Sequence, residues 1–454
     1  DQWRFAVQPL SDLLANFLRP GWNGPLYSPI LRGWIAMAGA SVFVMRLLSV
    51  FWGVLGVVLV WSLGRRLGGR KLAAVSSLLT ALSPYLVWYA QEVKMYTWVP
   101  MLVLLALYAL DRAIQTSKWH WWLVVLIGTV SAIYSHILAA LLVPVIGAWY
   151  LLRRNRHPRA WMGALCVIGG LALPYLPLLV WQWPLLFQYR ETGYPDLTLG
   201  QMSSSLVNGW SAGIAQGGWA AAPVPLILGV GSGLLAVVGF WWWGARKRWH
   251  RGLQLLVWVV APLLLLWLAS QRGPIFTDRY LIWAAPAFYL LIAAGILAFA
   301  RLLRPGSLLI CAAWMLVSIH GLAMQLVTPI KPQYEPVVRI VEEQRRDGDL
   351  LLFQIPYNHH VFQFYSSEGL GDWAEAPYTN WRSEDGTYSV DAEAVGRQMR
   401  GMVAGYDRVW LVYSEVRLWD SRELVKKWLV DSYELEETSS YHGVSLLLFT
   451  RSTR

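Results

Sequence analysis

The sequence predicts an α-helical polytopic membrane protein with a small α/β domain at its C-terminal end. Three observations predict that class. Long apolar runs, nearly free of charge, fill the chain up to residue 327. Cations gather in every second connection between those runs, and the composition changes at Thr328.

Only 14% of the 454 residues are charged and 56% are hydrophobic. An average soluble domain is about 25% charged, so the chain is too apolar for one soluble domain of this size. The net charge of +11 does not point to nucleic acid, because the excess sits in five connections: Arg65/Arg66/Arg70/Lys71, Arg112/Lys118, Arg153/Arg154/Arg156/Arg159, Arg246/Lys247/Arg248/Arg251 and Arg301/Arg304. Cations there orient a membrane protein with these connections in the cytoplasm and meet anionic lipid headgroups. Two cysteines, Cys166 and Cys311, both lie inside apolar runs. They give neither a disulfide framework nor zinc-ligand spacing, and no metal or cofactor is expected. Many of the 29 tryptophans stand at the ends of the runs, as in Trp241/Trp242/Trp243, where an interfacial aromatic belt would place them.

Residues 1–42 read as an outer loop, with a short interfacial helix over 25–39 that carries Arg32. Residues 43–327 read as the transmembrane part. Spans are expected at 43–63, 72–90, 93–110, 119–134, 137–152, 160–181, 222–243, 253–270, 281–300 and 306–327. That makes about ten spans, with eleven expected natively if one precedes Asp1. Residues 328–454 hold most of the acidic residues and read as an extracytoplasmic α/β domain. Its strands are expected at Leu350–Ile355, Arg408–Tyr413 and Val444–Thr450, with amphipathic helices near 335–346, 391–404 and 420–430.

This topology puts a few charged residues on the face opposite the cation-rich loops: Glu92, Lys94, Arg190, Glu191, Asp196, Arg272, Asp278 and Arg279. Ionisable groups at a span boundary are costly unless they are paired or line a wet cavity. The turn around Gln91, Glu92, Lys94 and Tyr96 is dense in polar groups. A salt bridge stapling the turn is the plain explanation, and a site is the functional one. His136 follows Tyr134 and Ser135 at another outer turn. Asp278, Arg279 and Tyr280 open the ninth span, where an arginine either snorkels or offers a phosphate its forked donors. The chain has no P-loop, GxSxG, HExxH or dinucleotide glycine motif.

Taken in order, PLSDLLANFLRPGWNGPLY (9–27), the run from Arg46 through Gly64-Arg65-Arg66-Leu67 to Ser83-Pro84-Tyr85, YAQEVKMY (89–96), IYSH (133–136) and Asp278-Arg279-Tyr280-Leu281 resemble the C-type glycosyltransferase superfamily. The branch is family 39, which holds protein mannosyltransferases and the aminoarabinose transferase of lipid A. The resemblance runs over roughly residues 9–330. Two departures stand out. Asn23-Gly24 replaces a usual His-Pro, and Lys94 replaces a usual arginine and so loses the bidentate fork.

The resemblance implies an integral-membrane enzyme of a bacterial-type plasma membrane that moves a pentose or hexose from a polyprenyl-phosphate donor to an acceptor outside. Arg279 and Lys94 would meet the donor phosphate. Gln91, Glu92, Tyr96, His136, Asp278 and Tyr280 would line the pocket. The catalytic aspartate of the family is expected upstream of Asp1, so no catalytic residue is assigned. The partners implied are the lipid-linked sugar, membrane lipids and membrane-protein subunits, with no nucleic acid. A degenerate relative serving as a scaffold, or a transporter of lipid-linked sugar, is the competing reading.

Overall fold

A computed structural model describes residues 2–17, 23–153, 157–187, 194–214, 224–381 and 387–451. The chain divides into two compact units, Gln2–Met324 and Gln325–Arg454. The protein is an integral membrane protein whose first unit is built of apolar helices.

Among the described residues, six helical stretches are long and apolar enough to cross a membrane: Val42–Gly68, Trp98–Thr116, Val224–Ala245, Trp249–Ser270, Asp278–Arg301 and Pro305–Val327. A bent pair, Arg70–Ala81 and Pro84–Ala90, with 57° between its halves, is long and apolar enough only when taken together, as a broken span or a re-entrant loop. Shorter apolar helices lie at Trp119–Ile133 and Ile137–Leu152, and at Ala160–Leu173 within the helix Ala160–Phe187. The expected span over 72–90 is therefore broken, and the one expected over 93–110 begins later, at Trp98.

Pro84 is the physical reason for the break. It cannot donate a helical hydrogen bond, but it suits the first turn of a new helix. Ser83 caps that helix by accepting from the Leu86 amide at 3.2 Å, and its hydroxyl lies 2.6 Å from the Tyr289 hydroxyl. The Tyr289 hydroxyl in turn donates to the Trp210 carbonyl at 2.9 Å. The break is thus fixed onto the stretch Asp278–Arg301, which is almost wholly buried and forms the centre of the unit.

Trp210 lies on helix Leu199–Ala212, which begins with a capping box between Thr198 and Gln201. Sequence periodicity left this segment as an outer connection. Helices Val224–Ala245 and Ala285–Leu302 cross in close contact. A side-chain carbon on Gly239 would lie 1.9 Å from the Leu291 carbonyl oxygen, and one on Gly295 would lie 2.1 Å from that of Leu235. Small residues at such a crossing let the backbones approach, the usual means of helix association in lipid.

At the cation-rich ends of the helices one carboxylate, Asp111, is buried between two arginines. The Arg66 Nε donates to it at 2.5 Å, and an Arg153 guanidinium nitrogen lies 3.0 Å from its other oxygen. The helix expected over 25–39 occupies Tyr27–Ala38, and Arg32 donates to the carbonyls of Ala6 and Gln8.

The second unit carries a five-stranded mixed sheet in the order β2-β1-β3-β5-β4. β1 (Asp349–Phe353) pairs in parallel with β2 (Trp373–Glu375) and with β3 (Arg408–Tyr413). β5 (Val444–Thr450) runs antiparallel to both β3 and β4 (Glu434–Tyr441). Helices Tyr334–Gln344 and His359–Tyr365 pack on one face, and Ala392–Met402 and Leu424–Ser432 on the other. The expected helix near 420–430 starts later because the buried Asp420 carboxylate accepts the Leu424 and Val425 amides. β2 and β4 carried no sequence signal. β2 is three residues long, and β4 is an exposed edge strand rich in Glu and Ser.

Candidate functional site

The connection 91–97 follows the short helix Pro84–Ala90, so the break at Pro84 decides where its side chains go. The Ser49 hydroxyl, near the start of helix Val42–Gly68, donates to the Glu92 carbonyl at 2.6 Å. Arg65 and Arg66 lie at the far end of that helix. The turn is therefore anchored at the end of the unit opposite the cation-rich one.

Tyr96 is the centre of the cluster. The Arg279 guanidinium lies 5.9 Å from its ring centroid and the Lys94 ammonium 6.0 Å. The His136 imidazole stands 6.5 Å from the same ring and 5.0 Å from the ring of Tyr280. Residues from three connections, 91–97, 134–136 and 277–280, are thereby gathered in one place. Glu92 belongs to the cluster through its charge, which acts on the phenols of Tyr89 and Tyr96. Asp278 faces Tyr89, whose hydroxyl lies 3.3 Å and 3.4 Å from the two carboxylate oxygens. Gln91 turns back, its amide nitrogen 3.5 Å from the Val87 carbonyl.

Two side chains were missed by sequence reasoning. Tyr89 stood inside the YAQEVKMY stretch, near the end of the expected span over 72–90. Tyr194 lies in a connection with no periodicity, and its hydroxyl sits 3.4 Å from that of Tyr280. Asp196 lines a cavity of about 360 Å³ with Thr198, Trp267 and Phe276. Arg272 is exposed, and Arg190 and Glu191 lie outside the described residues.

Burial sets the electrostatics. His136 is only 5% exposed. Loss of solvent, aided by the nearby Arg279 charge, holds its imidazole pKa down at about 4. The ring is neutral near pH 7, and its Nε2 is buried without a hydrogen-bond partner. The Tyr96 phenol is pushed up to about 12 by burial, against the pull of Arg279 and with the help of Glu92. The Arg279 Nε is also buried without a hydrogen-bond partner. A cation ringed by phenols, with unused donor capacity beside a neutral imidazole, suits a bound oxyanion. Among the described residues no group of three or more His, Cys, Asp and Glu side chains could hold a metal ion.

The turn 23–26 closes onto this cluster. The Leu26 amide donates to the Tyr134 carbonyl at 3.1 Å. A side-chain carbon on Gly24 would lie 1.9 Å from that same oxygen, so only glycine allows the approach. A small cavity of about 90 Å³ lies beside it, with Tyr27, Met95 and Ser135 in its wall.

Residues 22–181 match the family model described as dolichyl-phosphate-mannose-protein mannosyltransferase. No curated protein sequence matches the chain. Among solved structures, the chain is similar to ArnT from Cupriavidus metallidurans in the apo state, with a TM-score of 0.58 and 14% identity over 99% of this chain and 93% of that one. The same protein bound to undecaprenyl phosphate gives a TM-score of 0.56 at 14% identity, with the same coverage. The archaeal oligosaccharyltransferase AglB from Archaeoglobus fulgidus, in complex with an inhibitory peptide and a dolichol-phosphate, gives 0.55 at 12% identity, over 100% of this chain and 70% of that one. The chain therefore shares the fold of these proteins, and its residues 22–181 carry the sequence pattern of the mannosyltransferase family model.

Proposed function

We propose that this chain transfers a sugar from a polyprenyl-phosphate donor to an acceptor at the extracytoplasmic face of a bacterial-type plasma membrane. The observation that carries the reading is the Arg279 guanidinium, half-buried among Tyr96, Tyr280 and Tyr89 with its Nε unpartnered. The similar structures of ArnT and AglB hold undecaprenyl phosphate and a dolichol-phosphate, which supports a lipid phosphate as the anion here.

In this reading the lipid phosphate is the leaving group. Arg279 and Lys94 stabilise the negative charge that grows on it as the glycosidic bond breaks. Neutral His136 and the protonated phenols of Tyr96 and Tyr280 complete the pocket as hydrogen-bonding groups without adding charge. Asp278 faces the Tyr89 hydroxyl with both its oxygens, so its role is to orient that phenol rather than to act as base. Tyr89 and Glu92 then shape the sugar end of the pocket.

The test uses the full-length protein in membranes, supplied with a radiolabelled polyprenyl-phosphate sugar. Release of polyprenyl phosphate with label moved to an acceptor is expected from the unmodified chain. A chain that binds the donor lipid but never consumes it would favour the scaffold reading, and failure to bind polyprenyl phosphate at all would remove the proposed donor.

A further inference from the structure

The cation-rich end of the membrane unit has a charge imbalance that the donor site does not use. Its five connections carry sixteen Lys and Arg side chains and one carboxylate, Asp111. Arg66 and Arg153 already hold both oxygens of that carboxylate. Arg159 and Lys118, at the same end, are left to find anions elsewhere.

Helices Trp119–Ile133 and Ala160–Phe187 both begin at this end, directly after Lys118 and Arg159. Between them opens a cavity of about 400 Å³. Its wall is apolar, formed by Trp122, Leu123, Leu126, Met162 and Cys166, and Arg159 lies at its rim. Leu126 is two turns into its helix, roughly 10 Å deeper than Trp119. Leu123, Met162 and Cys166 are exposed, so the cavity opens on the surface that lipid would cover. The depth follows the helix axes, the direction in which an acyl chain runs. Arg159 stands where a headgroup would be, Lys118 is exposed between the lining residues Ser117 and Trp119, and Trp119, exposed at the helix start, marks the interfacial level.

We propose that this cavity seats an acyl chain of an anionic phospholipid whose phosphate meets Arg159 and Lys118. An apolar cavity with an uncharged rim would take any lipid chain. The two cations make the difference, each favouring an anionic over a zwitterionic lipid about fivefold. The proposal is independent of the donor site and its chemistry.

Cys166 in the cavity wall provides the readout. With Cys311→Ser, the full-length protein is placed in nanodiscs of phosphatidylcholine or phosphatidylglycerol, and maleimide labelling of Cys166 is timed. Seated lipid at ten times its Kd should slow labelling about tenfold, the factor 1 + [L]/Kd. Arg159→Gln should return the rate in phosphatidylglycerol toward that in phosphatidylcholine. Equal rates for the unmodified site in the two lipids would overturn the proposal. Soluble glycerol phosphate should not protect Cys166 in phosphatidylcholine; protection would mean a phosphate site with no acyl seat. A Cys166→Ser protein reports on Cys311 in the same discs. Equal slowing there would show a bilayer-wide effect and sink the idea.

Discussion

The imidazole of His136 and the phenol ring of Tyr280 face each other with ring centroids 5.0 Å apart, although one lies in the turn after helix Trp119–Ile133 and the other opens the central span of the membrane unit. Tyr280 follows Arg279 in the chain, and the Arg279 guanidinium meets Tyr96, the second ring beside His136. The donor-phosphate proposal rests on this shared neighbourhood.

Arg279→Ala should slow transfer from a polyprenyl-phosphate sugar by about two to three decades, and Arg279→Lys should keep part of the rate. Losing one charge-assisted contact in the transition state costs about 2.7–4 kcal/mol, or roughly two to three decades in rate. A lysine keeps the charge without the parallel donors. Single-turnover rates at matched protein levels check this; near-normal turnover of the lysine form would leave Arg279 only an anchoring role.

His136 should make the protein acid-sensitive. Its folded pKa of about 4 lies below the ordinary value of 6.5, so the unfolded chain takes up a proton first as pH falls. Its contribution is complete above about 6.5 and is lost on going down to about 4, at roughly 1.4 kcal/mol per pH unit within that window. His136→Asn should flatten this part of the profile. Thermal unfolding in detergent between pH 4 and 7 measures it, and identical slopes for the two proteins would refute it.

Gly24→Ala should loosen the turn that closes on the site. The added carbon would overlap the Tyr134 carbonyl oxygen, which also accepts the Leu26 amide. Overpacking of this kind typically costs about 1–3 kcal/mol. We expect a lower Tm together with weaker donor binding. Unchanged binding would separate the turn from the site.

Asp111→Asn should destabilise the membrane unit without touching the chemistry. Breaking a buried ion pair by removing one partner costs about 3–5 kcal/mol, because the remaining charge is left uncompensated. Here Arg66 and Arg153 would both lose their carboxylate. A lower Tm with normal turnover per folded molecule is the expected pair of results. Loss of turnover in the folded fraction would contradict it.

The sequence by itself determined that the chain is a membrane protein, because long charge-free runs have nowhere else to be stable. The placing of cations in alternate connections, read by the same logic, put Glu92, Lys94, His136 and Arg279 at one level. The strands Arg408–Tyr413 and Val444–Thr450 were legible because buried strands are short apolar runs. Tertiary structure decided the rest. The expected span over 72–90 is two helices, because the preference of Pro84 for a helix start combines with the bond between Ser83 and Tyr289, a partner far along the chain. The helix Leu199–Ala212 escaped notice because its burial comes from neighbours, not from its own composition. Tyr89 and Tyr194 joined the site only when separate connections met. Hydrophobic patterning fixes which segments leave water and at what level they end, but contacts between those ends depend on side chains that no local pattern relates.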